Sequence, residues 1–338
     1  MTRLTHWLAA GLTALSMAVA APAHAETRSI CVYDPAGKSG DYFGLMSKYA
    51  TEASTWGVEV EIKAYTDEET AAKDYEAGQC DGVVATGVRL QRFNRFSSTI
   101  EAIGGLQTYT QLKQMVTTLA TSAGASAKLS QDGNTVVGFI PVGAVYLFVR
   151  DKSVDTVPEL AGKRIATMDY DKASVFMVDR VGAIMVPADL GSIGPKFNNG
   201  DVDACYVSAP AFRPFELQRG IEAKGGGILK APLAQATLQV MIRDEKFPEG
   251  FADKSRKDLL GRFGTALSII EKAEADIPSQ YWVDIPATTL VDWDNMFQGV
   301  RLSLRDEKKA YDGMMLGVMK KLRCTEDGSR SECAENKE

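Results

Sequence analysis

The 338 residues carry a formal charge of −6, are 45 % hydrophobic and 24 % charged, and scatter their basic side chains. That balance counts against DNA, RNA and anionic membrane surfaces as partners, since a polyanion needs a basic face. Residues 26–338 exceed the ~250–300 residues at which one core stops growing, so two lobes are expected.

The amino terminus reads as a secretory signal peptide over residues 1–25. Arg3 opens a basic stretch, WLAAGLTALSMAVAA (7–21) is an apolar run of leader length, and Ala23-His24-Ala25 fits a small-x-small cleavage site. The run is short for a membrane anchor, and the first cysteine, Cys31, lies too far along to be lipidated at the cleavage point. The mature chain is expected in a bacterial periplasm, as a monomer. Both histidines, His6 and His24, fall inside the leader. The mature protein therefore lacks a histidine base, a Ser-His-Asp arrangement and imidazole metal ligands. No cofactor, no metal and no enzymatic activity are expected.

Along the mature chain, RSICVYD (28–34) reads as a first strand, and 41–56 as a helix with Phe43, Met46, Ala50 and Ala53 on one face, ended by Gly57. VEVEIKAY (58–65) alternates like an outer strand, DEETAAKDYEAG supplies a second helix, and CDGVVATG a third strand. Strand–helix–strand–helix–strand predicts a parallel sheet with right-handed crossovers. GNTVVGFIPVGAVYLFVRDKS (133–153) reads as two apolar strands broken around Pro141-Val142-Gly143, the second crossing between lobes. The strand–helix–strand logic repeats from 157 to 210, and QATLQVMIRD (235–244) reads as the strand returning to the first lobe. From Phe251 the pattern is helical, interrupted at PSQYWVDIP. KKLR (320–323) is expected to neutralise a helix C-terminus, and the last charged residues are expected to be disordered.

One short pattern occurs twice: EAGQCDGVVATG (76–87) and NNGDVDACYVSAP (198–210). Each has a glycine (Gly78, Gly200) suited to a helix C-cap, an aspartate three residues later (Asp81, Asp203), and an apolar run suited to a buried parallel strand. Two such α/β units facing each other make a cleft, because open α/β sheets bind ligands beyond the carboxyl ends of their strands. AGKS (36–39) is not a phosphate-binding loop, since Val32 stands where that motif needs glycine.

Five cysteines in an oxidising compartment are expected to pair in part. Cys31 and Cys80 sit on neighbouring strands. Cys324 and Cys333 close a small loop, or one of them pairs with the amino-terminal lobe, while Cys205 reads as a buried free thiol.

ELAGKRIATMDYDKA (159–173) and VGAIMVPADLGSIGPKFNNGDVDACYVSAP (181–210) resemble the second lobe of periplasmic solute-binding proteins of the TRAP-transporter type. The chain as a whole, with SICVYD, AGQCDGVVATGVR, VYLFVRD, FNNG and IPSQYW, most resembles a group of solute-binding proteins associated with RND efflux. The resemblance implies an α/β, two-lobe periplasmic-binding-protein fold, each lobe a mainly parallel sheet flanked by helices, with a helical C-terminal region. Lobe 1 is then expected over 26–147 plus about 238–265, lobe 2 over 148–237, a helical region packing across both over 266–325, and a polar tail over 326–338. It also implies capture of a small polar or anionic molecule for inner-membrane transporter subunits, with an accessory or sensor role in efflux or signalling as the alternative. The competing reading is an exported enzyme on the same scaffold with Asp169 or Asp171 as acid or base, which the lack of histidine disfavours. In the TRAP pattern an arginine in the strand after L-x-G grips the ligand carboxylate. Here Ala166 occupies that position and Arg164 lies two residues earlier, so that carboxylate clamp is not carried over.

Candidate ligand contacts are then chosen at the carboxyl ends of strands. Asp34 and Ser39 follow the first strand; Thr86 and Arg89 follow the third, with the Arg89 fork suited to clamp an anion. Asp169 and Tyr170 follow a lobe-two strand, Ser208, Phe212 and Arg213 the last repeat strand, and Tyr146 sits near the crossing. For Asp34 and Asp169, helix capping competes with ligand binding.

Overall fold

The computed structural model describes residues 26–338; the signal-peptide expectation for 1–25 lies outside the described residues. Strand β1 (Glu26–Tyr33), helix α1 (Asp41–Ser54), β2 (Val58–Tyr65), α2 (Glu68–Glu76) and β3 (Gly82–Thr86) follow as anticipated. The turns α3 (Gly87–Leu90) and α4 (Arg95–Ser98) lead to α5 (Tyr109–Thr121), α6 (Ala123–Ser126), the short β4 (Ser130–Gln131) and the long β5 (Asn134–Val149). The second unit is β6 (Arg164–Met168), α7 (Lys172–Arg180), β7 (Ile184–Ala188), α8 (Ile193–Asn199) and β8 (Ala204–Ser208). After α9 (Gln218–Glu222), β9 (Gly227–Leu229) and β10 (Ala234–Arg243) come α10 (Phe251–Gly261), α11 (Phe263–Ala275), β11 (Trp282–Val283), α12 (Ala287–Asp306) and α13 (Gly313–Glu326).

The strands form one sheet in the order β2-β1-β3-β10-β5-β8-β6-β7. In the first half β1 pairs parallel with β2 and β3, and β10 lies antiparallel to β3. In the second, β6 pairs parallel with β7 and β8, and β5 lies antiparallel to β8. The two halves thus share one four-strand plan, and the fourth strand of each is a segment travelling between them.

The sequence predicts two strands broken at Pro141-Val142-Gly143; the structure has one strand, β5, with a bulge there. Pro141 pairs with Thr237 and Gly143 with Ala236, so Val142 has no opposite number. Proline has no N–H to give the ladder, and a bulge is where a strand tolerates it. Gly143 sits at φ 112°, and a Cβ there would lie 3.0 Å from Pro210 Cδ. β5 pairs with β10 from Asn134 to Val145 and with β8 from Val145 onward, so the bulge falls just before the chain passes from one half to the other.

The duplicated motif is scaffold. Gly78 (φ 77°) and Gly200 (φ 85°) end α2 and α8 in the left-handed region. Asp81 Oδ2 accepts the Ser29 N–H at 2.8 Å while the Asp81 N–H donates to the Ser29 carbonyl at 2.8 Å. Asp203 Oδ2 accepts the Arg164 N–H at 3.0 Å while its own N–H donates to the Arg164 carbonyl at 2.8 Å. Each aspartate closes a ring at the amino end of the first parallel strand of its half. Both lie at the opposite strand ends from the cleft.

Two disulfides form, Cys31–Cys80 and Cys324–Cys333, and Cys205 is free and buried. The core joins β-sheet residues of both halves, such as Val83 and Ile165, to Phe297 of α12 and Met315 of α13. The expectation of a disordered carboxyl terminus is corrected. Residues 331–334 form a helical turn, and Glu332 accepts from Arg301, Arg323 and Arg330 at 2.7–2.8 Å. Glu338 accepts from Arg301 Nε at 2.5 Å and Arg323 Nη2 at 2.6 Å. Arg323, part of KKLR, is therefore a buried partner rather than a helix-end charge. Composition counts these charges but does not reveal that they neutralise one another, which is the condition for burying them.

Candidate functional site

The carboxyl ends of β1, β3, β6 and β8 converge on a cavity of about 910 Å³ between the halves, closed on a third side by α11. Helix starts follow these strand ends, and the side chains there serve both roles, capping and lining. Seven of the ten sequence-derived residues line the cavity: Asp34, Ser39, Thr86, Tyr170, Ser208, Phe212 and Arg213.

Several of these are committed to the scaffold. Asp34 is buried and caps α1, accepting the N–H groups of Ala36 at 2.9 Å and of Tyr42 and Phe43 at 3.0 Å. Ser39 donates to the Ala36 carbonyl at 2.8 Å. Thr86 Oγ1 accepts the Arg89 N–H, and the Thr86 N–H donates to Glu68. Phe212 packs against Phe148 and Tyr281 beneath the wall. Arg213 is at the rim, 69 % exposed, with Asp276 3.8 Å away.

Three candidates are elsewhere. Tyr146 packs edge-on against Trp282 at 5.0 Å, and Asp169 is exposed, outside the cavity. Arg89 does not line the main cavity: its guanidinium lies 3.5 Å above the Tyr170 ring, and its Nε is 3.5 Å from Glu68 Oε2. Arg89 follows β3 and Tyr170 follows β6, so this stacked pair ties one half to the other. Beyond it lies a second pocket of about 300 Å³ whose lining includes Lys73, Arg92, Arg95, Lys172 and Lys309.

The cavity also contains Asp171, which follows the same strand as Tyr170, and three residues that strand-end position does not bring forward, Glu101, Gln235 and Tyr42. Glu101 is buried and accepts from the Gly87 N–H (3.0 Å), the Val88 N–H (3.0 Å), and the N–H (2.9 Å) and hydroxyl (2.6 Å) of Thr237. Burial nevertheless pushes its carboxyl up to about 7. Asp171, also raised by burial, accepts the Ala173 N–H at 2.9 Å and the Ser174 hydroxyl. Gln235 is 1 % exposed with no partner for its Oε1, and the Tyr42 hydroxyl has none either; both residues line the cavity. A signal for Gln235 existed. Gln235, Thr237 and Gln239 alternate in an otherwise apolar strand, which places three polar groups on one face. Glu101 had no such signal.

The wall between these groups is apolar, with Val142, Val145, Met168, Met177, Phe215 and Ile269. Such a chamber, with a few convergent polar atoms, suits non-covalent retention of a small molecule. Ala166 is fully buried in β6, and Arg164 is tied to Asp203 at 2.9 Å at the far end of that strand.

The comparisons agree with this architecture. A crystal structure of a TRAP periplasmic solute-binding protein from Rhodoferax ferrireducens with bound malonate superposes with a TM-score of 0.68 at 15 % identity, covering 88 % of this chain and 98 % of that one. The crystal structure of a TRAP periplasmic solute-binding protein from Desulfovibrio desulfuricans with bound sn-glycerol-3-phosphate gives 0.70 at 14 % identity, covering 88 % of this chain and 97 % of that one. The "Probable solute-binding protein AdeT1" of Acinetobacter baumannii is 38 % identical over 309 residues, which is 91 % of this chain and all of that protein. Residues 50–338 match the family model described as solute-binding protein AdeT 1/2. The chain belongs to the AdeT 1/2 family of solute-binding proteins.

Proposed function

We propose that this protein captures a small molecule in the periplasm, between lobes comprising 26–147 plus 238–265 and 148–237, and presents it to the membrane subunits of a transporter. The supporting observation is the open-mouthed cleft at the carboxyl ends of β1, β3, β6 and β8, walled by both halves. The helical region 266–325 lies across the two lobes. Bending at Val142 and Gly143 in β5, with the adjoining register shift in β10, lets the lobes part, and the Arg89–Tyr170 stack favours the closed arrangement.

Retention rather than turnover is the better reading of the acids. Asp169 is exposed outside the cavity, and Asp171 spends its oxygens on the start of α7. The test is a thermal-shift screen of the mature protein against a broad metabolite panel. A ligand present at 100 times its Kd stabilises by ~2.7 kcal/mol. Unchanged mass of the recovered ligand supports capture. Conversion of the ligand refutes it, as does a panel without any stabilising compound.

A further inference from the structure

The cleft's charge distribution identifies what it is built to hold. Its carboxylates are Asp34, Asp41, Glu101, Asp171 and Asp276, and its two cations, Arg213 and Lys272, are exposed at the rim. No arginine or lysine among the described lining residues is buried. Arg89 is stacked on Tyr170 on the outer side of the wall, Arg164 is held by Asp203, and Ala166 offers no charge at all. A carboxylate entering this chamber loses its water and finds no buried cation in exchange, which is strongly unfavourable.

The unsatisfied atoms point the other way. Gln235 Oε1 is a buried acceptor lacking a donor, and the Tyr42 hydroxyl is a second group without a partner. Glu101 Oε2 accepts only the Val88 N–H and has a lone pair to spare. The Gln235 acceptor and carboxylates without a buried cation, beside a Tyr42 hydroxyl able to donate or accept, in a cleft of about 910 Å³ with largely aliphatic and aromatic walls, call for a ligand with an apolar body and N–H groups.

We propose that the solute held in this cleft is an apolar amine, fixed by donating to Gln235 and to the acidic floor, and that small carboxylates are rejected. This inference rests on the capture function proposed above and assigns its ligand class.

Isothermal titration of the mature protein with phenylbutylamine, phenylbutanoate and malonate tests it, since the first two share a body and differ in the charged end. The amine is expected to bind at least tenfold more tightly than phenylbutanoate, a margin of ~1.4 kcal/mol, and malonate is expected to release no heat. Gln235→Leu is expected to weaken amine binding about tenfold. Its unliganded melting temperature should hold or rise, because an unpartnered buried amide is removed; a merely structural glutamine would not separate the two readouts. Should that variant fail to fold, Tyr42→Phe supplies the same comparison through loss of a single hydroxyl. Equal or tighter binding of phenylbutanoate or malonate overturns the ligand class and leaves capture standing. Full amine affinity in the folded Gln235→Leu variant also overturns it. Silence of all three probes rejects the amine class as well, whereas capture falls only if the metabolite panel is silent too.

Discussion

Glu332→Gln is the most discriminating perturbation of the scaffold beneath the cleft. Glu332 faces three guanidinium groups, those of Arg323, Arg301 and Arg330, and Arg301 and Arg323 are themselves buried. Burial alone would raise its carboxyl, but hydrogen bonds and charge from Arg323 and Arg301 outweigh it and lower the group from 4.5 to about 2. At ~1.4 kcal/mol per pH unit, that drop corresponds to about 3 kcal/mol of folding stability. Because the folded value lies below the unfolded one, the contribution is complete above about pH 4.5 and disappears as pH falls through about 2. The glutamine keeps the shape and removes the charge. Urea unfolding followed by the fluorescence of Trp293, buried in α12, should place the variant about 3 kcal/mol below the parent at pH 7. The gap should narrow to about 1.4 kcal/mol at pH 3. A gap that stays constant with pH refutes the electrostatic argument. The cluster matters for the site because Arg301 and Arg323 also donate to the carbonyls of Ile103, Gly104 and Gly105, the segment following Glu101 on the cavity floor.

Three further outcomes are expected. Cys31→Ala with Cys80→Ala opens a loop of sequence separation 49 and should lower unfolding stability by up to about 4 kcal/mol on the chain-entropy estimate; an unchanged urea midpoint would count against it. Arg89→Ala removes the stack on Tyr170 and strips Glu68 of its cation. The loss of ~1–2 kcal/mol should fall on the closed state, so small-angle scattering of the unliganded variant should show a larger radius of gyration, and an identical profile would deny the contact its linking role. Gly143→Ala forces a side chain to φ 112° against Pro210; the cost should be about 1–3 kcal/mol in thermal or urea unfolding, and a neutral result would mean the bulge relaxes freely.

The order of elements was readable because period and punctuation agree along this chain. VEVEIKAY alternates and is the outer strand; the runs in CDGVVATG and DACYVSAP do not alternate and are buried inside the sheet. Cys31 within β1 and Cys80 just before the neighbouring β3 led to Cys31–Cys80 in the same way. The site was less legible. Position at a strand end brought Thr86, Tyr170 and Ser208 to the cavity, but it does not reveal a side chain's direction, and Arg89 turns outward because Glu68 and Tyr170 hold it. Glu101 lies in a turn between helices and is held on the floor by Gly87 and Val88, and by Thr237, 136 residues on. The carboxyl-terminal arginines and glutamates looked like a solvated tail because pairing across α12 and α13 leaves no local trace in the sequence.

The shared fourth strands also constrain how the molecule is made. β3 has its neighbour β10 supplied only after the second half has been synthesised, so a chain made amino end first exposes one edge of its first sheet until residue 243 is in place. Cys31 and Cys80 can join early and hold β1 beside β3 while the edge waits. A fragment ending before residue 234 should therefore be sticky and prone to proteolysis, and a circular permutant that begins at β10 would emerge with the missing neighbour already in hand.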